Sequence, residues 1–294
     1  MRLTIWGCRG SLATPGPETV RYGGNTSCVE VRLDDGTLLV LDAGTGIRPL
    51  GLTLDDFTGP IHLLLTHLHL DHLEGLGFFM PIWHPGQEVH IWGPPSPLRN
   101  LEERIARYLS PPLFPIELSQ IPARLTFHDV LDAPWTIGGA QVEAGPVAHP
   151  GPTVGYRIDA DDAVFAYIPD HEPALGHDLT GLAPEWVSGT SVALGADLLL
   201  HDSQYFEHEY AERVGWGHSS VADSVAFARL AAVEKLLLFH HDPLHTDDDL
   251  VELGQRALEL WRGDGPVPEL AREGMTIELA RRRSLSRVSA RRTG

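Results

Sequence analysis

Three histidines and one aspartate fall within six residues, at His67, His69, Asp71 and His72, directly after the apolar run Leu63-Leu64-Leu65. Imidazole nitrogen suits zinc, iron and manganese, and carboxylate oxygen suits the harder ions among them. A buried strand passing into a turn can aim His67 and His69 at one point and Asp71 and His72 at a neighbouring one. Further candidates close other apolar runs. His149 follows a short strand, Asp170 closes Val164-Phe-Ala-Tyr-Ile-Pro, and His240 and His241 close Lys235-Leu-Leu-Leu-Phe. An isolated histidine is more often a core or surface residue. Four apolar runs that each end in a histidine or an aspartate instead give what a two-metal site needs.

The elements that must carry these residues are legible as apolar runs between glycine turns. Strands are expected over 3–8, 27–33, 38–42, 61–66 and 89–92 in the first half. In the second they are expected over 142–146, 155–158, 164–167, 198–201 and 236–239, with a last one near 275–279. Several runs are continuous rather than alternating, as in strands covered on both faces. Helices are expected after Gly44, after Asp71, and over 98–109, 220–232 and 247–261. Ser220 and Asp223 have the spacing of a capping box.

The 294 residues are 43% hydrophobic, enough for a sizeable core. Their net charge of −18 argues against a duplex-binding face. It leaves a phosphate substrate open, because a bound cation reverses the local field. Two cysteines, Cys8 and Cys28, exclude a disulfide framework and a four-cysteine zinc site. The opening apolar run is broken by Gly7, Arg9 and Gly10, and no run approaches a membrane span, so a cytoplasmic enzyme is expected. One domain is expected over 1–280. Residues 281–294 hold six arginines and three serines and read as a basic, flexible tail, with a nucleic-acid or partner contact as its functional reading. The proline-punctuated segment 92–118 is expected to cover the active site or to form a subunit interface, as in a homodimer.

The H-x-H-x-D-H run, His149, Asp170 and the histidine after the last run together resemble the metallo-β-lactamase-fold hydrolase superfamily over nearly the whole chain. The resemblance implies an α/β fold, a four-layer αββα sandwich of two similar halves with metals at one edge. It implies that His67, His69 and His149 hold a first divalent ion, that Asp71, His72 and His240 hold a second, and that Asp170 bridges them. His240 is preferred over His241 because it directly follows the strand. Asp42, in Leu-Val-Leu-Asp42-Ala-Gly, matches a family aspartate that orients ligand histidines. Zinc is the first expectation for both ions, with manganese and iron open.

Within that superfamily an aspartate at 170, in place of cysteine, disfavours the lactamases with a cysteine ligand. His201-Asp202-Ser-Gln-Tyr205 followed by Gly215-Trp-Gly-His218-Ser219 resembles the His-Glu-Ala-Thr and Gly-His-Ser motifs of ribonuclease Z and its cyclic-phosphodiesterase relatives. The resemblance implies that Asp202 orients His218 and that His218 donates a proton or hydrogen bond to a phosphate. The competing reading of His218 is a cap on a helix starting near Ser219. The opening loops, Trp6–Ser11 and Arg21–Ser27, also resemble the family's; Asn25, Thr26 or Ser27 meets a phosphate there or forms a plain turn. Ribonuclease Z carries a long arm that grips transfer RNA between the positions of His149 and Asp170. Here twenty residues intervene, so a small phosphodiester is expected as substrate and folded RNA is disfavoured. The implied mechanism is in-line attack on phosphorus by a hydroxide shared between two divalent ions about 4 Å apart. Asp71 takes the proton and His218 assists the leaving oxygen. A thioesterase or lactonase, a ribonuclease Z-like nuclease and a non-catalytic metal scaffold or sensor are the alternatives.

Overall fold

The computed structural model describes residues 1–130, 132–179, 181–261 and 267–279. The tail expected over 281–294 lies outside them. Its first sheet runs β1 (Arg2–Gly7), β2 (Cys28–Arg32), β3 (Leu38–Leu41), β4 (Ile61–Leu64), β5 (Glu88–Gly93) and β6 (Arg124–Asp129) in spatial order. The second is built from β7 (Trp135–Ile137), β8 (Ala140–Pro146), β9 (Val154–Ala160), β10 (Ala163–Ile168), β11 (Leu198–Asp202), β12 (Leu236–Phe239) and β13 (Glu269–Leu270). A last strand, β14 (Thr276–Glu278), returns to the first sheet beside β1.

Both sheets follow one plan. An antiparallel meander leads into parallel strands, at β3–β4–β5–β6 in one sheet and β10–β11–β12–β13 in the other. The central parallel strands are buried along their whole length, which explains their unbroken apolar runs.

Alternation along each strand sorts its side chains into layers. Leu198, Leu200, Leu237 and Phe239 join the core between the sheets, with Leu39, Leu41 and Tyr167. Their neighbours Leu199, Leu236 and Leu238 pack outward against α5 (Val221–Leu230) and α6 (Asp247–Leu260). On the other side Val40, Leu63 and Ile91 pack against α1 (Ile47–Gly51) and α2 (Leu101–Ala106). The result is the expected αββα sandwich. Two short helices were not anticipated: α3 (Thr190–Ala193) and α4 (Glu207–Tyr210).

Two helix expectations need correction. After Asp71 the chain forms three short 3₁₀ turns, Leu70–His72, Leu76–Phe78 and Met80–Trp83, and no α-helix. The backbone is pinned there: Ala43 N–H donates to His72 O and Gly75 N–H to Ala43 O. The helix expected over 98–109 is only Leu101–Ala106, capped by Asn100, whose side chain accepts from Glu103 N–H. The segment around it does not hang free, since Leu101, Ile105, Leu109, Phe114 and Leu118 belong to the outer core of the first sheet.

Candidate active site

The carboxyl ends of parallel strands from both sheets meet at one edge of the sandwich, where open α/β sheets commonly bind ligands. Strand β3 leads to Asp42, β4 to His67 and β10 to Asp170, β11 ends at Asp202, and β12 leads to His240. Asp42 and His240 both adopt left-handed backbone, φ 59° and 60°, which turns the chain sharply as it leaves the strand. The loop after β4 is locked from the opposite sheet: Val154 N–H donates to Thr66 O, and Tyr156 Oη donates to Leu65 O at 2.7 Å.

The expected metal ligands fall into two groups. His67, His69 and His149 form one, and Asp71, His72, Asp170 and His240 the other, with ligand atoms within 4.8 Å of one another in each. Asp170 stands between them. Its Oδ2 lies 3.8 Å from His67 Nε2, 3.7 Å from His149 Nε2 and 3.3 Å from His240 Nε2. Its Oδ1 lies 3.0 Å from His72 Nε2 but not in hydrogen-bonding geometry. His241 turns away and donates from Nε2 to Ala271 O.

Hydrogen bonds behind the imidazoles fix their tautomers. His72 Nδ1 donates to Asp42 Oδ2 at 2.8 Å, and His149 Nδ1 to Gly217 O at 2.7 Å. His240 Nδ1 donates to Gln204 Oε1 at 3.0 Å, the Gln204 amide being oriented by its own donation to Asp242. His67 Nδ1 donates to Thr66 Oγ1, whose proton goes to Asp42. In these tautomers each Nε2 faces the centre with its lone pair; His149 Nε2 lies 3.2 Å from His69 Nδ1, and His240 Nε2 lies 3.2 Å from Asp71 Oδ2. His72 Nε2 and His240 Nε2 stand 3.4 Å apart, and buried His67 Nε2 has no partner. Lone pairs converging on lone pairs and carboxylate oxygens repel unless a cation lies among them. This donor set, nitrogen-rich with shared carboxylate, fits two divalent transition ions.

Around the first group the electrostatics agree, whereas at His72 burial opposes the charged form but Asp170, Asp71 and Asp42 push the imidazole well above its ordinary range. Burial pushes the His67, His69 and His149 imidazoles below their ordinary range, favouring the neutral form that binds metal. Burial also opposes a charged Asp170, but His240, His72 and His67 hold its carboxyl well below the usual range. Asp42, Asp71, Asp170 and Asp202 are all buried, and among the described residues their ion pairs are with histidines alone. Buried carboxylates without a cation are costly.

His218 lies beside this centre. Its ring stacks on His240 at 4.9 Å and meets His149 edge-on at 5.0 Å. Its Nδ1 donates to Asp202 Oδ2 at 2.8 Å. Asp202 is held in turn by the backbone N–H groups of His171, Gln204 and Ser219. Burial opposes protonation of His218, but Asp202, helped by Asp170 and Asp71, pushes its pKa up to about 9. His218 is close enough to His149 and Asp170 to form a further ligand-type grouping, yet its Nδ1 is committed to Asp202. It does not cap α5: Ser220 does, accepting from Asp223 N–H. His218 lines a cavity of about 430 Å³ with Ser11, Gln204, Tyr205, Arg213 and Trp216. A larger open hollow, about 730 Å³, lies over α4 and α6 and contains none of the clustered ligands.

The opening loops are structural. Thr26 and Ser27 are buried, Thr26 Oγ1 bonds Glu74, and Asn25 bonds Glu273 through backbone and side chain. Arg9 is buried and donates to the carbonyls of Gly23, Asp242 and His245. Two of these residues reach the centre: Ser11 N–H donates to Asp71 Oδ2 at 2.8 Å, and Gly10 packs directly against the His240 ring. Sequence reasoning missed three supporting groups. Tyr167 Oη donates to Asp42, Gln204 orients His240, and Glu172 accepts from the N–H groups of Gly215 and Gly217.

Residues 37–241 match the β-lactamase superfamily domain, and the chain belongs to that superfamily. It is similar to a ribonuclease Z of Myxococcus xanthus, 27% identical, with 82% of this chain and 88% of the relative covered. Among solved structures it resembles the metallo-β-lactamase-fold protein YhfI from Bacillus subtilis at a TM-score of 0.68 and 18% identity, covering 94% of this chain and 99% of the other. A diphosphatase of the PhnP family superposes with a TM-score of 0.65 at 19% identity, covering 95% and 97%. The protein is thus a metallo-β-lactamase-fold hydrolase of the ribonuclease Z-like branch, with histidine–aspartate groups that could bind metal. No helix among the described residues is long and apolar enough to cross a membrane.

Proposed function

We propose that the protein is a metal-dependent phosphodiesterase acting on small or cyclic phosphodiesters. His67, His69 and His149 would hold one divalent ion, Asp71, His72 and His240 a second, and Asp170 would be shared. Zinc suits this donor set best, and manganese or iron also fits it. Such ions, when bound, polarise water and neutralise charge on the phosphoryl oxygens. Asp71, fixed by Ser11 N–H, faces the same space and accepts the proton of the attacking water. His218 in its protonated form donates from Nε2 to a phosphoryl or leaving oxygen, and Asp202, accepting from Nδ1, stabilises that form.

The Asp202–His218 pair beside the ligand groups carries this reading, because an alkyl phosphodiester needs both a donor to its phosphoryl oxygen and an acid for its leaving alkoxide, whereas a thiolate leaves without one. Two buried, free cysteines suit a reducing compartment and support a cytoplasmic location. A folded-RNA nuclease is the second reading, favoured by the similarity to ribonuclease Z. Against it stand the net charge of −18 and the stretch between His149 and Asp170, which the β9–β10 hairpin fills and which has no room for a gripping arm.

Metal-loaded protein assayed on bis(p-nitrophenyl) phosphate, a thioester, a lactone and a transfer RNA precursor tests the assignment. Turnover of the phosphodiester well above the ester substrates is expected. Preferential thioester or lactone cleavage, or efficient salt-sensitive cleavage of the precursor, would overturn it.

A further inference from the structure

Trp216 is 60% exposed on the cavity that His218 lines, and its backbone is held on both sides. Gly215 and Gly217 flank it with φ of +87° and +92°, conformations that L side chains rarely adopt. Their N–H groups both donate to the buried Glu172 carboxylate, at 2.8 and 2.7 Å. Tyr210 Oη also donates to Glu172, and Gly217 O receives His149 Nδ1. A Cβ on Gly217 would stand 2.3 Å from Pro150 Cδ. The chain is therefore bent on both sides of residue 216 and tied from behind, so that the exposed indole springs from a held backbone.

Arg213 lines the same cavity. Its guanidinium carbon lies 5.0 Å from the Tyr205 ring centroid, and Nη1 donates to Glu209 O. Leu244, 80% exposed, is a further apolar lining group. An exposed indole on a held backbone, a cation laid across a tyrosine and about 430 Å³ of space suit a flat, electron-rich ring carried by an anion. The held backbone matters because only side-chain rotation is then lost when a ring stacks on the indole.

We propose that Trp216 and Arg213 form a subsite for a nucleobase-type aromatic substituent of the phosphodiester, so that the preferred substrate is a nucleoside phosphodiester rather than an aliphatic one. This rests on the phosphodiesterase reading. The test compares two substrates with the same reacting group: a 3′,5′-cyclic nucleoside monophosphate and the cyclic phosphate of 1,3-propanediol. Trp216→Ala raises KM for the nucleoside substrate about tenfold with kcat little changed, and leaves the aliphatic substrate unaffected. Trp216→Phe restores most of the loss, and Arg213→Gln raises KM selectively for the nucleoside. Quenching of indole fluorescence by a nucleoside monophosphate, reduced in Trp216→Phe, reports binding without turnover. An unchanged KM in Trp216→Ala, or an equal rise for both substrates, overturns the subsite. If neither phosphodiester is turned over, the catalytic reading has failed, and the quenching titration alone then decides the subsite.

Discussion

At the scale of single residues, the sharpest division is between histidines with one free nitrogen facing the centre and those with none. His240 and His241 are neighbours in sequence, but one faces Asp71 and Asp170 and the other is spent on a carbonyl. His240→Ala should lose up to one equivalent of metal by elemental analysis, whereas His241→Ala should keep both equivalents. His218 differs again, since its inner nitrogen belongs to Asp202. His218→Ala should keep its metals and its fold while losing about 10²–10⁴ in turnover of an alkyl phosphodiester, the usual effect of deleting a general acid. The loss should shrink with p-nitrophenolate as leaving group, which needs less protonation. Asp202→Asn should give a milder version of the same pattern. Full activity of His218→Ala on an alkyl substrate would reduce the histidine to a packing residue.

Among the elements, the strands that lead into the site were the easiest to read, for a physical reason. β3, β10, β11 and β12 are covered on both faces, so they are unbroken apolar runs that stop where the site begins. β6 and β7 escaped notice because they are edge strands, half-exposed, mixed in polarity or only three residues long. The stretch after Asp71 has helix-like composition, but tertiary hydrogen bonds from Ala43 and Gly75 divide it into short turns. Glu172 and Gln204 left no trace in the sequence, since they act on backbone amides and on a ring nitrogen that any reading by residue type leaves unassigned. Caps were legible. In α6, Thr246 accepts from Asp249 N–H, and Asp249 bonds back to the Thr246 hydroxyl and amide, which hold its carboxyl below the ordinary range. A depressed carboxylate stabilises the fold above its unfolded pKa, about 3.9, and that support fades as pH falls through the lower folded value. Thr246→Ala should therefore cost about 1 kcal/mol at neutral pH in denaturant melts, and less in acid.

For the molecule as a whole, each ligand group is drawn from both halves of the sandwich. His67 and His69 come from the first sheet and His149 from the second; Asp71 and His72 come from the first, Asp170 and His240 from the second. Cations bound there would act as rivets between two similar shells, binding the assembled protein and neither shell alone. Occupancy and global stability are then one equilibrium. At a hundredfold excess over Kd, each ion would add about 2.7 kcal/mol, so a strong chelator should lower the melting temperature by about 5–10 °C or more. The same linkage makes stability a gauge of the metal supply. A cell starved of the right ion would hold a population that opens more often along the seam between the sheets and is cleared by proteases sooner, so the amount of enzyme would follow the availability of its own cofactor.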